Sequence, residues 1–350
     1  MIYLRCYKII FLTVLSSVKF YGILSKIKLM PVLLHKLKLC QSSAEMRNDM
    51  SITEDIATLK KEKNAVILAH YYVDEDVQNI ADYVGDSFYL SKIATKTNAD
   101  IIVFCGVEFM GESAKILNPS KRVFMPDASA DCPMAHMASK EEIIRVKKEY
   151  DDVAVVCYIN STAELKTFSD VCVTSSNAVK IVKNLPNKNI YFIPDKNLGS
   201  YVAKQVPDKN IILNDGCCPR HVEITADMVV KAKESHPDAK FAAHPECSEE
   251  VLVYADYIGS TSGIIDYVAN SSSKEFLIGT VDGVFAEIKK IAPDKKLYTV
   301  KEGQICENMK KITLEKVLKV LKDETNEVFV DKELAAKSMA PLTRMLELAK

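Results

Sequence analysis

Three cysteines, Cys132, Cys218 and Cys306, lie 86 and 88 residues apart in a chain of 350 residues. Two other sets of polar residues keep the same step: His70, Tyr158 and His244 are spaced 88 and 86, as are Ser87, Ser175 and Thr261. Recurrence at a fixed period marks an internal triplication. If three copies of one unit pack around a pseudo-threefold axis, equivalent positions reach equivalent distances from that axis, and three thiols meet at one point. Three thiolates can hold zinc or an iron–sulfur cluster. Structural zinc sites close four ligands and often use a Cys-x-x-Cys pair, which this sequence lacks. Three widely separated thiolates better suit a [4Fe–4S] cluster with one open iron, a Lewis acid able to bind a hydroxyl or carboxylate and promote loss of water. Pro133 and Pro219 follow two of the cysteines, as in ferredoxin-type ligand runs, which favours Cys218 over Cys217.

The hydroxyls lie in Gly85-Asp86-Ser87, Thr174-Ser175-Ser176 and Gly259-Ser260-Thr261, each ahead of a helical stretch and placed as helix N-caps. Three helix N-termini facing one axis gather unpaired N–H groups and positive dipole ends, so the implied ligand is a small anion. His70 and Tyr72, His244 and Glu246, and His221 and Glu223 are each separated by one residue, and in extended chain such pairs share a side. Histidine or glutamate beside an electron-poor iron acts as general acid or base, and a tyrosine donates to a developing oxyanion. Tyr158 and Asn160 bring polar contacts at the same address in the middle repeat. Cys105, Cys157 and Cys172, in or beside apolar strands, read as small buried hydrophobes. His35, His136 and His236 read as structural.

The elements that must position these residues follow one plan. Each repeat opens with a short apolar strand: 65–69 before His70, 153–156 before Tyr158, and 240–243 before His244. A hydroxyl-bearing turn, a helix, a second strand, a helix near 108–117, 197–205 or 282–291, and a third strand then lead to the cysteine. Continuous apolar strands alternating with helices define parallel sheets buried on both faces. The candidates thus lie past the carboxyl ends of strands, where such sheets bind ligands. The expected fold is α/β: three homologous αβα domains with short parallel sheets around a pseudo-threefold axis, spanning 51–148, 149–236 and 237–350, the last with added C-terminal helices.

With 48% hydrophobic and 27% charged residues and a net charge of −1, the composition is that of a globular protein with no basic surplus for nucleic acid. Ten cysteines in a chain this long read as mostly reduced, cytosolic thiols. Residues 1–50 differ, carrying eight Lys/Arg against two Asp/Glu, a net +6 against −7 for the remainder. The longest uncharged run in this arm, Ile9 to Val18, has ten residues, too few to span a bilayer. The arm reads as a poorly ordered extension, with an amphipathic surface helix as the other reading. The folded protein is expected to begin at Ser51-Ile52-Thr53-Glu54, a Ser-x-x-Glu capping box.

From about residue 52 to the C-terminus the chain resembles the quinolinate synthase family of A type, on motifs that are specific in combination. They include Ala69-His70-Tyr71-Tyr72, Ala81-Asp82-Tyr83-Val84-Gly85-Asp86-Ser87, Phe104-Cys105-Gly106-Val107-Glu108-Phe109-Met110 and Cys132-Pro133-Met134-Ala135. Tyr158-Ile159-Asn160-Ser161, Cys218-Pro219-Arg220-His221-Val222-Glu223, Ala243-His244-Pro245-Glu246-Cys247, Gly259-Ser260-Thr261-Ser262-Gly263 and Cys306-Glu307-Asn308-Met309-Lys310 complete the set.

The resemblance implies three αβα domains around a [4Fe–4S] cluster and condensation of iminoaspartate with dihydroxyacetone phosphate to quinolinate, releasing phosphate and two waters, in NAD biosynthesis. It carries the family's cluster ligands onto Cys132, Cys218 and Cys306, and its substrate-binding positions onto His70, Ser87, Tyr158, Ile159, Asn160 and Ser175. Further binding positions fall on His221, Glu223, His244, Pro245, Glu246 and Thr261. His70, Tyr72 and Glu246 are the candidates for moving protons. It also implies a cytoplasmic enzyme without stable membrane association, in transient contact with an aspartate oxidase or dehydrogenase that delivers the imine. Cys306-Glu307-Asn308-Met309 lacks the Cys-x-x-Cys-x-x-Cys run of some members and matches a shorter branch. Two other readings stand beside it: a structural or redox-sensing iron–sulfur or zinc protein, and a diphthamide-type radical enzyme.

Overall fold

The computed structural model describes residues 50–350, and the chain divides into two units, 1–54 and 55–350. In the first unit, 50–54 are helical, with the Thr53 hydroxyl donating to the Met50 carbonyl at 2.9 Å. Ser51 therefore does not start a helix: an N-cap needs extended backbone, and Met50 and Ser51 are already helical. The readings of the basic arm before Met50 lie outside the described residues.

Three four-stranded sheets, all parallel, make up the second unit. The first has the order β2-β1-β3-β4, built from β1 (Ala65–His70), β2 (Tyr83–Gly85), β3 (Ile101–Cys105) and β4 (Arg122–Phe124). The second, β6-β5-β7-β8, uses β5 (Val153–Tyr158), β6 (Val171–Val173), β7 (Asn189–Ile193) and β8 (Asn210–Leu213). The third, β10-β9-β11-β12, uses β9 (Lys240–Ala243), β10 (Tyr257–Ile258), β11 (Glu275–Gly279) and β12 (Lys296–Thr299). One strand order repeated three times is the triplication in three dimensions. The inner strands are apolar except at their ends because helices cover both faces; Ile67, Leu68, Val155, Val156, Phe241 and Ala242 are fully buried.

Each sheet carries one strand more than the sequence pattern foretells. β2, β6 and β10 are edge strands of two or three residues, too short to leave a periodicity. They are held by a repeated aspartate. The backbone N–H of Asp82, Asp170 and Asp256 donates to the carbonyl of Ile67, Val155 and Phe241 at 2.9, 2.9 and 2.8 Å. In return each carboxylate accepts from the N–H of the same partner, at 2.8, 2.7 and 2.8 Å. The step between these aspartates is again 88 and 86. A second repeated device closes the helix after each edge strand. Lys121 donates to Thr97 O, Lys209 to Leu185 O, and Lys295 to Ser271 O at 2.6 Å, so an ammonium meets each negative helix end.

The approach to each cysteine is pinned in the same way. The N–H groups of Glu108, Lys196 and Asp282, which lie at the start of the third-strand helices, donate to the carbonyls of Ala130, Gly216 and Gln304 at 2.8, 2.7 and 2.9 Å. The cysteine comes two residues later in every repeat. After the last one, the chain returns across its predecessors. The helix Leu314–Asp323 leads to a segment pairing with β4, where Val328 N–H donates to Val123 O at 2.8 Å. The helix Lys332–Leu348 then packs on the helix Ala163–Thr167 and on β6, with Arg344 donating to Asp170 O at 3.1 Å. Among the described residues no helix is long and apolar enough to cross a membrane.

Asp82→Ala, Asp170→Ala and Asp256→Ala should each lower stability by about 1 kcal/mol, the upper end for a charged acceptor being reduced by solvent exposure. Urea unfolding midpoints test this. An unchanged midpoint in all three would remove the clamp from the account.

Candidate active site

The strand ends converge on one cleft enclosing about 150 Å³. Cys132, Cys218 and Cys306 line it, one from each repeat, with His70, Tyr72, Ser87, Tyr158, Asn160, Ser175, His244, Glu246 and Thr261. The four other residues named from the sequence lie elsewhere. His221 is buried behind the wall, Ile159 is buried with its N–H on Val173 O, and Pro245 is buried beside His244. Glu223 faces outward in ion pairs with Lys301 and with Arg220 at 2.6 Å. The expectation that His221 and Glu223 share a side fails because the segment is not extended: His221 lies in the helix Pro219–Val222 and Glu223 caps it. Asp86, Asp131, Arg220, Glu307 and Asn308 also line the cleft. Their signal in the sequence was only adjacency to the repeated positions.

The hydroxyls are not the caps that the sequence suggests. Asp86 and Ser260, one residue earlier, cap the helices Ser87–Lys96 and Thr261–Asn270 by accepting from Tyr89 N–H and Gly263 N–H at 2.9 and 3.2 Å. Ser87 and Thr261 are therefore released from capping and open to the cleft. In the middle repeat Asn177 is the capping position, and Ser175 sits in the turn before it. Ser262 donates to Asp86 at 2.6 Å and ties the first and third helix starts together.

The two histidines at the strand-end address are held alike. His70 Nδ1 accepts from Tyr72 N–H at 3.2 Å, and His244 Nδ1 accepts from Glu246 N–H at 3.3 Å. Each ring proton thus sits on Nε2. Burial, which outweighs the nearby Glu246 charge, lowers His70 to about 3 and His244 to about 4, so both are neutral donors at pH 7. Tyr158, at the equivalent place, donates its hydroxyl to Glu246 Oε1 at 2.6 Å. Burial would raise Glu246, but His244 and His221 beside it and the hydrogen bonds from His221 and Tyr158 hold it well below the usual carboxylate range. His221 Nδ1 lies 2.7 Å from its other oxygen. Asn160 Oδ1 is buried without a partner.

The cysteines are presented for an electron-poor partner. Backbone N–H groups of Met134 and Ala135 reach the Cys132 sulfur, that of His221 reaches Cys218, and those of Met309 and Asn308 reach Cys306. The N–H of Cys132 is held by Asp131 at 2.6 Å and that of Cys218 by Asp195 at 2.9 Å. Burial, then the Glu246 charge and the neighbouring thiol, push Cys132 up to about 12 and Cys218 well above its ordinary value; burial also raises Cys306. Thiols that resist ionising alone, yet have N–H donors waiting for thiolate, fit a cationic cluster that relieves their mutual repulsion. Cys217 does not line the cleft, and Cys105, Cys157 and Cys172 are fully buried in strands. His136 pairs with Asp131 and His236 stacks on Tyr298; His35 lies outside the described residues.

Three α/β repeats whose strand ends bring thiols, neutral imidazoles, a carboxylate and hydroxyls to one small cleft define a class: a triplicated α/β enzyme. The chain is 56% identical over 294 residues to the quinolinate synthase of Fusobacterium nucleatum, covering 84% of this chain and 98% of that protein. It is 51% identical over 298 residues to the quinolinate synthase of Caldicellulosiruptor saccharolyticus (85% and 98% covered) and 49% identical over 301 residues to that of Clostridioides difficile (86% and 99%). The family model for quinolinate synthetase A protein matches residues 54–347, and the chain belongs to that family.

The neutral histidines set a pH dependence. Their unfolded value near 6.5 exceeds their folded values, so above about pH 6.5 they contribute no difference; as pH falls toward 4 the unfolded chain binds protons that the folded state refuses, and stability is lost. Between pH 7 and pH 5 the wild type should lose about 2 kcal/mol more than His70→Gln. Urea denaturation at the two pH values measures it. Equal losses would mean that His70 is not held neutral.

Proposed function

We propose that this cleft is where the chain carries out the activity of its family, quinolinate synthesis in NAD biosynthesis. The observation that carries the proposal is the meeting of Cys132, Cys218 and Cys306 with Glu246, His70 and His244 in one small cavity at the strand ends. The substrates are iminoaspartate and dihydroxyacetone phosphate, which condense to quinolinate with release of phosphate and two waters. The family implies a [4Fe–4S] cluster; Cys132, Cys218 and Cys306 would hold it, and its open iron would supply a Lewis acid for the loss of water.

The remaining chemistry falls to the side chains. Ser87 and Ser175 offer hydroxyls to carboxylate and phosphate oxygens, Thr261 lines the cleft with its hydroxyl on the Tyr72 phenol, and His70 and His244 add Nε2–H donors without adding charge. Asn160 Oδ1, buried and unpaired, suits an N–H of the imine-bearing substrate. Glu246 is an anionic acceptor already bonded to Tyr158, placed to take a proton as a carbon–oxygen bond breaks and to return it. Tyr72, half-buried at the cleft wall, supplies a phenol whose ionisation burial disfavours, so it acts as a hydrogen-bonding group rather than a phenolate. Ile159, Pro245, His221 and Glu223 support the wall: the first three are buried behind it, and Glu223 fixes Arg220 at the cleft mouth. The eight cysteines among the described residues are free, which fits a cytoplasmic site of action, with an aspartate oxidase or dehydrogenase supplying the short-lived imine nearby.

Protein purified without oxygen should contain about four irons per chain and form quinolinate from the two substrates. Cys132→Ala, Cys218→Ala and Cys306→Ala should each abolish formation, with iron and sulfide lowered. An intact cluster in any one variant would remove that cysteine from the ligand set. Tyr158→Phe should keep its iron and lower kcat by roughly tenfold or more, read in the same assay.

A further inference from the structure

Thr280 was invisible to the sequence reading and does not line the cleft, yet it touches two groups that matter there. It follows β11 at an address occupied by Gly106 and Pro194 in the other repeats, again 88 and 86 residues apart. Neither of those residues has a side-chain hydroxyl. Thr280 is fully buried, and its Oγ1 lies 2.6 Å from the Tyr72 hydroxyl and 2.9 Å from His221 Nε2. On the far side of the same imidazole, Nδ1 lies 2.7 Å from Glu246 Oε2 and 3.1 Å from Cys218 Sγ.

Proton counting fixes the directions of these bonds. The Glu246 carboxylate 2.7 Å from Nδ1 can only accept, so the ring proton is placed on Nδ1 and Nε2 is left to accept. The donor facing Nε2 is the Thr280 hydroxyl, which has one proton to give. Its oxygen then accepts from Tyr72, whose phenol is 2.6 Å away, while Thr261 at 3.1 Å from the same phenol is left to donate to it. The result is one directed chain from Thr261 through Tyr72, Thr280 and His221 to Glu246, which Tyr158 also meets. We infer that Thr280 is a positioning residue: it holds the Tyr72 phenol and the His221 tautomer in one pattern, so that Tyr72 and Glu246 face the ligand in matched orientations. Backbone support is strong, since Gln304 donates to the carbonyls of Thr280 and Ile278, the latter at 2.7 Å.

This inference rests on the functional reading above, and two variants separate it from a packing role. Thr280→Val keeps the shape and removes the hydroxyl; Thr280→Ser keeps the hydroxyl. In the holoenzyme with full iron, Thr280→Val should lower kcat by about tenfold or more while KM for both substrates stays within about threefold, and Thr280→Ser should restore most of kcat. Wild-type kcat in Thr280→Val, or equal losses in both variants, would overturn it. A second readout does not depend on turnover. The urea unfolding midpoints of Thr280→Val, Tyr72→Phe and the double variant should be non-additive, because each single change breaks the same bond. Additive midpoints overturn the assignment, whereas absence of quinolinate from the wild type, with coupling intact, counts against the functional reading alone.

Discussion

Three thiols that start some 87 residues apart line one cleft, and within each repeat one backbone hydrogen bond fixes the approach to the cysteine. The N–H of Glu108, Lys196 and Asp282 fixes the carbonyls of Ala130, Gly216 and Gln304, and with them the start of each cysteine turn. Because these bonds are main chain to main chain, they are indifferent to the side chains around them, and the repeats can diverge without moving the sulfurs. The same logic governs the edge strands, where an aspartate grips both polar groups of one residue on the neighbouring strand. The scaffold is thus repeated in its backbone bonding, and the chemistry varies on top of it.

That division explains why equivalent addresses hold different groups. The strand-end position is histidine in the first and third repeats and tyrosine in the second. Two positions on, the residue is Tyr72, Asn160 or Glu246. An exact threefold site would present one kind of group three times. Here two neutral imidazoles, a carboxylate with its tyrosine and three sulfurs line one cleft. Burial drives the differentiation: it keeps His70 and His244 neutral, while the hydrogen bonds at Glu246 keep a carboxylate charged in the same cavity.

The spacing of cysteines, histidines and hydroxyls exposed the triplication, and continuous apolar runs marked the inner strands, because both properties survive without knowledge of neighbours. Helix 108–117 matches the helix Glu108–Leu117, and the others fall within two residues. The edge strands escaped notice since two or three residues carry no period. The capping assignment slipped by one residue, at Asp86 and Ser260, because several adjacent residues can cap and only the helix's own geometry chooses among them. Glu223 was placed with His221 on the assumption of extended chain, and a single helical turn separated them.

The sequence alone determined what depends on order along the chain: three copies of an α/β unit, a cysteine, a strand-end polar residue and a hydroxyl in each, and the resemblance that names the family. Tertiary structure decided what depends on approach between distant segments. Thr280 became a partner of Tyr72 and His221, 208 and 59 residues away, only when the first and third repeats closed on each other. Hydrogen bonds across repeats need angstrom-scale positions, and those are set by packing, which no spacing along a chain records.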